Sequence, residues 1–257
     1  MDQRWIEFMR HNHLESVDDV WALPESWIDE PNRGRGGWSG VSRHELKSRD
    51  GAMVRVILKR QANYTRKTWL HPLRGISTLR AEAAMIKRLR ARGVAVPNLI
   101  YYGESDGSER RAALMATKLA CSESLDRFAS MLYLQQAPLS KKRKMIFAAA
   151  QAVRKMHLAR CQHRALFPKH LLVCEGDPLQ VCIIDLEKSR LRLSVHQCMV
   201  HDLDTLNRRS HGFMPKRSNA LLQTLSQCEQ TRHARKNSMA LDRETRTAQT
   251  EPINRGS

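Results

Sequence analysis

Residues 163–188 read HRALFPKHLLVCEGDPLQVCIIDLEK, a polar loop that leads into two short apolar runs. The runs, Leu171–Cys174 and Val181–Ile184, flank a Glu-Gly-Asp-Pro turn and therefore predict a small β-hairpin. Asp185 follows the second run directly, so we expect it to emerge from the end of a buried strand. A carboxylate in that position is suited to holding a metal ion. The alternative is that Asp185 serves only as a strand-terminal turn or cap.

A glycine-rich segment with the sequence GRGGWSGV lies far upstream, at residues 34–41. Backbone N–H groups can approach an anion closely where side chains are missing. Gly36, Gly37 and Gly40 are therefore candidates for a phosphate cradle. A flexible β-turn would explain the same glycines.

A second hairpin is predicted by the runs Val41–Leu46 and Met53–Lys59, which flank a Ser-Arg-Asp-Gly turn. Alternation along the second run places Lys59 on the face of the strand opposite Val56 and Leu58. A lysine in a strand is ordinary by itself, and its meaning depends on the helix that follows.

The segment Ser77–Arg92 has helical periodicity, with its first residue as a candidate N-cap. Glu82 lies three residues after Leu79 and seven before Leu89, so it shares the apolar stripe of the helix. Burying an unpaired charge costs several kcal/mol, so a cation must be near, and Lys59 on the preceding strand is the obvious candidate. The alternative is that Glu82 lies at the edge of the stripe and reaches water.

The remaining periodic segments give the chain an order of strands followed by helices. One more hairpin is predicted over Asn98–Tyr102 and Ala112–Leu119, and helices over Ser124–Tyr133, Lys141–Arg160 and Ser194–Arg209. We divide the chain into an N-terminal lobe at residues 1–119, a C-terminal lobe at 120–214 and a polar, basic, disordered tail at 215–257. Taken in order, the glycine loop, strand lysine, helix glutamate, histidine-led loop, hairpin and strand-end aspartate follow the order of parts in a two-lobed kinase of class α+β.

The composition narrows the range of partners. The chain has 257 residues, with 44 Lys and Arg against 26 Asp and Glu, and a formal net charge of +18. This excess favours a polyanion such as nucleic acid, an anionic membrane face or a phosphorylated glycolipid. We expect no nucleic acid partner, because only charge supports one and neither a helix-turn-helix nor a stacking-aromatic signature is present. The six cysteines form no CxxC pair, and we find no leader and no run of about 18 apolar residues, so we expect a cytoplasmic protein with reduced thiols.

Four motifs in this order resemble the lipopolysaccharide kinase family, its InaA branch in particular. They are GGWSGV at 36–41, HRALFPKH at 163–170, IDLEK at 184–188 and HDLDTL at 201–206. The resemblance spans roughly residues 25–212. It implies a two-lobed protein-kinase-like fold, with a small antiparallel β N-lobe that contains one helix and a mainly helical C-lobe. It also implies the use of ATP and magnesium to phosphorylate heptose or Kdo sugars of the lipopolysaccharide inner core, at the cytoplasmic side.

The resemblance implies a role for each matching residue. Lys59 would hold the α- and β-phosphates of ATP, and Glu82 would orient Lys59. Asp185 would bind magnesium. His170 occupies the loop position where protein kinases place a metal-binding asparagine, and its imidazole would ligate the metal or form a hydrogen bond there. Lys169 would neutralise the transferring phosphate, although a charged loop residue can equally face solvent.

The chain departs from the family pattern at Ala165. Kinases, and the sugar-kinase branches of this family, carry the catalytic aspartate at this third position of the His-Arg-x loop, and a methyl group cannot accept a proton. Positioning and electrostatics supply most of phosphoryl transfer, so another base can serve. The alternatives are Asp202, His163, Glu187 or the phosphate of the substrate itself. A different interpretation is a pseudokinase, a nucleotide-responsive binding or regulatory module that has lost transfer.

Three polar residues near this loop have a structural interpretation. We expect His157 and His163 to bond to loop backbone, and Asp202 to brace the loop from the following helix. A three-histidine metal site that adds His170 is the alternative, although the spacings of six and seven residues impose no geometry on it. For partners, we expect an anionic glycolipid or sugar acceptor and peripheral contact with the inner membrane surface; the oligomeric state is left open.

Overall fold

A computed structural model describes residues 2–34, 36–68, 71–107, 109–118 and 122–210. The predicted lobe boundary at 119/120 and the predicted tail at 215–257 lie outside the described residues.

The described residues form six α-helices, twelve strands and two short 3₁₀ turns. The helices are α1 (Gln3–His11), α2 (Val17–Trp21), α3 (Thr78–Arg90), α4 (Leu125–Leu134), α5 (Leu139–Leu158) and α6 (Val195–Ser210). The strands are β1 (Asn32–Gly34), β2 (Gly37–Lys47), β3 (Met53–Ala62), β4 (Thr65–Thr68), β5 (His71–Ser77), β6 (Leu99–Asp106), β7 (Arg110–Thr117), β8 (Ser122–Ser124), β9 (Cys161–Gln162), β10 (Leu171–Cys174), β11 (Gln180–Ile183) and β12 (Arg190–Leu191). Short 3₁₀ turns occupy Pro168–His170 and Leu186–Lys188.

An antiparallel five-stranded sheet forms the N-terminal part, in the order β1-β2-β3-β7-β6. Strand β3 is central, and Lys59 pairs with Val41 on one side and Leu114 on the other. The predicted β2–β3 and β6–β7 hairpins are confirmed. The structure adds a separate β4–β5 hairpin between β3 and α3, which the sequence patterns do not predict.

Two N-terminal helices that the sequence patterns also do not predict cover one face of this sheet. Helices α1 and α2 bury Trp5, Phe8 and Val20 in one cluster with Val56 and Leu58 of β3. This face is the one opposite Lys59, as the alternation along β3 predicts. The lysine is thereby directed to the other face, where α3 packs.

A buried arginine holds the end of α2 against the sheet. Arg60 is 2% exposed. Its guanidinium donates to the carbonyls of Trp21 and Leu23 at 2.8 Å each and of Pro24 at 3.2 Å. It also lies 4.6 Å from the centre of the Trp27 ring. One strand residue therefore fixes the chain that leads from α2 into β1.

Helix α3 has the predicted cap and the predicted buried stripe. The Ser77 hydroxyl accepts from the backbone N–H of Leu79 at 3.1 Å, which satisfies one free N–H of the first turn. Leu79, Ile86 and Leu89 are buried, and Glu82 is buried among them at 3% exposure. The helix therefore brings a carboxylate to the Lys59 face of the sheet.

The C-terminal part packs α4, α5 and α6 with two small sheets. The predicted β10–β11 hairpin is confirmed, and β8 pairs with the other edge of β10, while β9 pairs with β12. One hydrophobic core joins both parts, since it contains Leu89 of α3, Leu114 of β7, Met156 of α5 and Ile183 of β11. None of the helices in the described ranges is both long enough and apolar enough to cross a bilayer.

Candidate functional site

Lys59, Glu82 and Asp185 meet where the sheet faces the helical part. The Nζ of Lys59 donates to both carboxylate oxygens of Glu82, at 2.7 and 3.0 Å, and to Oδ1 of Asp185 at 3.4 Å. Strand β3 supplies the lysine, α3 the glutamate, and the chain just after β11 the aspartate. The predicted contact of Lys59 with Glu82 is confirmed. Both parts of the molecule contribute residues to this cluster.

The charges of this cluster keep the lysine protonated. Burial alone would lower the pKa of Lys59, but the Glu82 and Asp185 carboxylates outweigh burial and hold that pKa above its usual range. Burial alone would raise the pKa of Asp185, but the neighbouring charge of Lys59 outweighs it, so that pKa lies below its usual value. The Asp185 side chain is 33% exposed and that of Glu82 only 4%, so Asp185 is the carboxylate that a ligand can reach.

His170 faces Asp185 from the loop that precedes β10. Its Nδ1 lies 2.8 Å from the carbonyl oxygen of Ala165, which can only accept, so Nδ1 carries the proton. On the neutral ring, Nε2 then directs a lone pair at Oδ2 of Asp185, 3.3 Å away. Burial lowers the pKa of His170 by more than the negative charge of Asp185 raises it, so the neutral ring is favoured.

The facing acceptors of His170 and Asp185 fit a divalent cation. Two ligands at about 2.1 Å on neighbouring octahedral positions lie about 3 Å apart. The described residues contain no group of three or more His, Cys, Asp or Glu side chains that could hold a metal on their own. Magnesium commonly takes only one or two protein ligands and completes its shell with phosphate oxygens and water. The pair therefore fits an ion shared with a bound phosphate.

Asp202 of α6 braces the loop, as predicted. Its carboxylate accepts from the backbone N–H of His163 at 2.7 Å and of Arg164 at 2.8 Å. The Nε2 of His157 lies 3.1 Å from the same carboxylate, which corrects the prediction that His157 bonds to loop backbone. The other predicted bond is confirmed, since Nε2 of His163 lies 2.9 Å from the carbonyl of Ile184. Burial alone would raise the pKa of Asp202, but these hydrogen bonds outweigh it and lower that pKa.

The structure narrows the choice of substitute base. Ala165 is 3% exposed, and Asp202 and His163 are fully buried with the partners just described. Neither can reach the hydroxyl of an acceptor molecule. Glu187 is partly exposed and accepts from the Thr78 hydroxyl at 3.4 Å. Glu187 and the phosphate of the substrate are the two alternatives that remain.

The three glycines have packing or turn reasons of their own. Gly36 has φ +81° and no atom within 4 Å of an added Cβ, which is typical of a turn. A Cβ at Gly37 would collide with the carbonyl oxygen of Ala62, and one at Gly40 would lie 2.5 Å from the Trp27 ring. The phosphate-binding role of these glycines stays a prediction, because close packing already requires two of them.

Two neighbouring cavities open beside the loop that carries Ala165. The first, which we call the arginine pocket, has a volume of about 450 Å³ and is lined by Arg164, Phe167, His201, Thr205, Arg208 and Arg209. The second, which we call the loop cavity, has a volume of about 470 Å³ and is lined by Asp126, Phe167, Pro168, Lys169 and Arg209. Lys169 thus lies in the loop cavity, and within the described residues no hydrogen bond or ion pair joins it to the Lys59 cluster.

Sequence reasoning predicted Lys169 but missed the cavity residues that come from α4 and α6. Asp126 lies in the first turn of α4, and Arg208 and Arg209 lie in the last turn of α6, so all three are far from the loop motif along the chain. The signal available was the Arg-Arg pair at the end of a helix, which by itself is typical of a helix C-terminus. Only the packing of α4 and α6 against the loop brings these side chains together.

Comparisons with known proteins agree with the motifs. Residues 18–230 match the model of the lipopolysaccharide kinase (Kdo/WaaP) family. Protein InaA of Escherichia coli strain K12 is 31% identical over 191 residues, which cover 73% of this chain and 85% of the relative. The lipopolysaccharide core heptose(I) kinase WaaP of Pseudomonas aeruginosa is 29% identical over 120 residues, which cover 44% of this chain and 45% of the relative.

A solved structure supports the same relationship at the level of fold. WaaP in complex with acyl carrier protein superimposes with a TM-score of 0.59 and 21% identity, over 85% of each chain. At this identity the likeness shows the fold alone, and it confirms the predicted two-lobed protein-kinase-like architecture.

Proposed function

The chain belongs to the lipopolysaccharide kinase (Kdo/WaaP) family, and on this premise we propose that it transfers phosphate from ATP to a sugar of the lipopolysaccharide core or a related anionic glycolipid. The observation that carries the proposal is the contact of Lys59 with both Glu82 and Asp185. A protonated lysine held by a buried carboxylate, next to a partly exposed one, is the arrangement that phosphoryl transfer from a nucleotide needs.

Each residue of the cluster has a task in this proposal. Lys59 holds the α- and β-phosphates, and Glu82 fixes the position of Lys59 from a site that water does not reach. Asp185 and His170 hold magnesium, which when bound neutralises charge on the phosphates. Gly36, at the turn before β2, lets backbone N–H groups approach the same phosphates. Lys169, from the loop cavity, neutralises charge on the transferring phosphate.

In this proposal, the acceptor hydroxyl loses its proton without the aspartate that Ala165 replaces. Phosphoryl transfer with a loose transition state needs little base assistance before the bond to phosphate forms. Of the remaining acceptors, Glu187 lies on the turn just after Asp185 and is partly exposed. We assign the proton to Glu187 or to the phosphate of the substrate itself, and Glu187→Gln separates the two.

A pseudokinase is the second candidate, and the burial of Asp202 and His163 favours it. With the catalytic aspartate replaced by Ala165 and two of the substitutes out of reach, the site would bind nucleotide without turnover. The protein would then act as a nucleotide-responsive binding or regulatory module. In either case we propose a cytoplasmic protein with peripheral contact at the inner membrane surface, because its net charge of +18 attracts it to anionic lipid.

Mass spectrometry of the acceptor tests the proposal. The protein is incubated with ATP, magnesium and lipopolysaccharide core oligosaccharide, beside Lys59→Met and a control, Lys47→Met, which removes an exposed lysine at the end of β2. The proposal predicts a mass gain of one phosphate with the natural protein and the control, and none with Lys59→Met. ATP binding without any mass gain would favour the pseudokinase, and transfer that survives in Lys59→Met would contradict the site.

A further inference from the structure

The arginine pocket lies one aromatic ring away from the Asp185 cluster. The Phe167 ring lies 5.3 Å from the His170 ring, centre to centre, and His170 in turn faces Asp185. On its pocket side, Phe167 is covered by the guanidinium of Arg209 at 5.3 Å from the ring centre. A molecule in the pocket would therefore lie beside the reacting groups without occupying the Lys59 cluster.

The side chains that line this pocket are suited to an anion. Three of the six are arginines and none is a carboxylate. Arg208 is paired with Asp204 at 2.9 Å. Within the described ranges, the guanidinium groups of Arg164 and Arg209 form no ion pair with a carboxylate. Guanidinium groups bind phosphate with two parallel hydrogen bonds, and such charge-assisted bonds are roughly twice as strong as neutral ones.

The neighbouring loop cavity, which Lys169 and Arg209 also line, adds a hydrogen-bond acceptor. Asp126 lines it, and its Oδ1 is buried with no hydrogen-bond partner. Buried polar atoms are nearly always hydrogen-bonded, so an unpaired carboxylate oxygen at a cavity wall fits a donor supplied by a ligand. A sugar hydroxyl is such a donor. The two cavities share Phe167 and Arg209, so one ligand can reach both.

From these observations we propose that the acceptor is a phosphorylated sugar, bound across both cavities, with its existing phosphate monoester in the arginine pocket and a hydroxyl that donates to Asp126. The inference rests on the proposed function, since it names the acceptor of that site. Arg164 lines the arginine pocket, and Asp202 holds its backbone N–H. It therefore connects the anion site to the loop that lies beside the reacting groups. Recognition of one phosphate would position the sugar for receipt of another.

Calorimetry with two matched probes tests this acceptor site. The probes are deacylated lipopolysaccharide core oligosaccharide with its phosphates and the same oligosaccharide after chemical dephosphorylation. The pocket variant is Arg208→Gln/Arg209→Gln, and both side chains are exposed, so the fold should tolerate it. The control is Lys141→Gln/Arg143→Gln, which removes the same charge from exposed positions of α5 outside both cavities. Asp126→Asn tests the hydroxyl contact separately.

The pocket variant should bind the phosphorylated probe at least tenfold more weakly, with no change for the dephosphorylated probe or for ATP. Asp126→Asn should weaken both probes to a similar extent. An equal loss in the Lys141→Gln/Arg143→Gln control would overturn the proposal, because general charge would then explain the binding. Unchanged affinity in the pocket variant would also overturn it.

The outcome for nucleotide separates the two proposals. Suppose that neither the natural protein nor any variant binds ATP, while the pocket variant still has a lower affinity for the phosphorylated probe. The anion site then stands and the kinase proposal fails. If ATP binds and phosphate is transferred while the pocket variant behaves as the natural protein, the anion site alone fails.

Discussion

Lys59 and Glu82 form a pair in which each charge depends on the other. Lys59→Met should lower the free energy of unfolding by about 3 kcal/mol, because it leaves the Glu82 carboxylate buried without a cation. Lys59→Met/Glu82→Gln should recover most of that loss, since the second change removes the buried charge. Urea denaturation measures both. A double variant as unstable as the single one would show that the loss comes from packing, whereas nucleotide binding should stay strongly weakened in both.

Asp202 should make the stability of the protein depend on acid pH. Its folded-state pKa lies below the ordinary value of 3.8, so its contribution is complete above the ordinary aspartate range and is lost as the pH falls through the lower, folded-state pKa. Asp202→Asn should cost about 3 kcal/mol at neutral pH, because His157 and two backbone N–H groups lose a charged acceptor.

The same measurement has a built-in control on α6. Asp204 lies two residues further along and is exposed, so Asp204→Asn should change the free energy of unfolding by less than about 1 kcal/mol. The difference between the natural protein and Asp202→Asn should shrink as the pH is lowered below 3.8. A difference that stays constant down to acid pH would mean that the Asp202 charge does not brace the loop.

At the scale of elements, the N-terminal helices depend on Arg60. Arg60→Ala should lower the free energy of unfolding by about 2 kcal/mol, because three carbonyls lose a charged donor and the Trp27 ring loses its covering cation. Limited proteolysis should then cut the chain between α2 and β1 faster than in the natural protein. The control is Arg55→Ala, in which a half-exposed ion pair with Glu45 is lost from the same strand. Equal cleavage in both variants would contradict the role given to Arg60.

The elements that sequence predicts correctly are those with long or unambiguous patterns. Glu82 on the stripe of α3, the alternation of β3 and the turn before Met53 all follow from local periodicity. Helix α2 is only five residues long. The Ser16 hydroxyl accepts from the Asp19 backbone N–H at 3.1 Å, and the Asp19 carboxylate accepts from the Ser16 backbone N–H at 2.7 Å. The Ser-x-x-Asp pattern of this capping pair is the one sequence signal for the start of the helix.

Sequence predicts the part of the site in which one residue requires a partner by its own chemistry. A carboxylate on an apolar stripe demands a cation, so Glu82 identifies Lys59. The loop cavity and the arginine pocket have no such local reason. Asp126, Arg208 and Arg209 become neighbours only through the packing of α4 and α6 against the loop, which is a property of the tertiary fold.

At the scale of the whole molecule, one core joins the sheet to the helices. Because Leu114 of the sheet, Leu89 of α3 and Met156 of α5 share that core, the two parts should unfold together. Circular dichroism and tryptophan fluorescence should give coincident transitions, with calorimetric and van't Hoff enthalpies that agree. Since all five tryptophans (Trp5, Trp21, Trp27, Trp38 and Trp69) lie within residues 1–119 of the sequence, a fluorescence transition that differs from the circular dichroism transition would reveal independent lobes.

Nucleotide binding at the junction of the two parts is the central claim, and calorimetric titration of ATP tests it most directly. The natural protein, Lys59→Met and the control Lys47→Met are each titrated with and without magnesium. We predict magnesium-dependent binding by the natural protein and the control, and binding about 100-fold weaker in Lys59→Met, because the phosphates lose a charged partner in a partly buried site. Failure of the natural protein to bind ATP in the presence of magnesium, or equal affinity in Lys59→Met, would contradict the account.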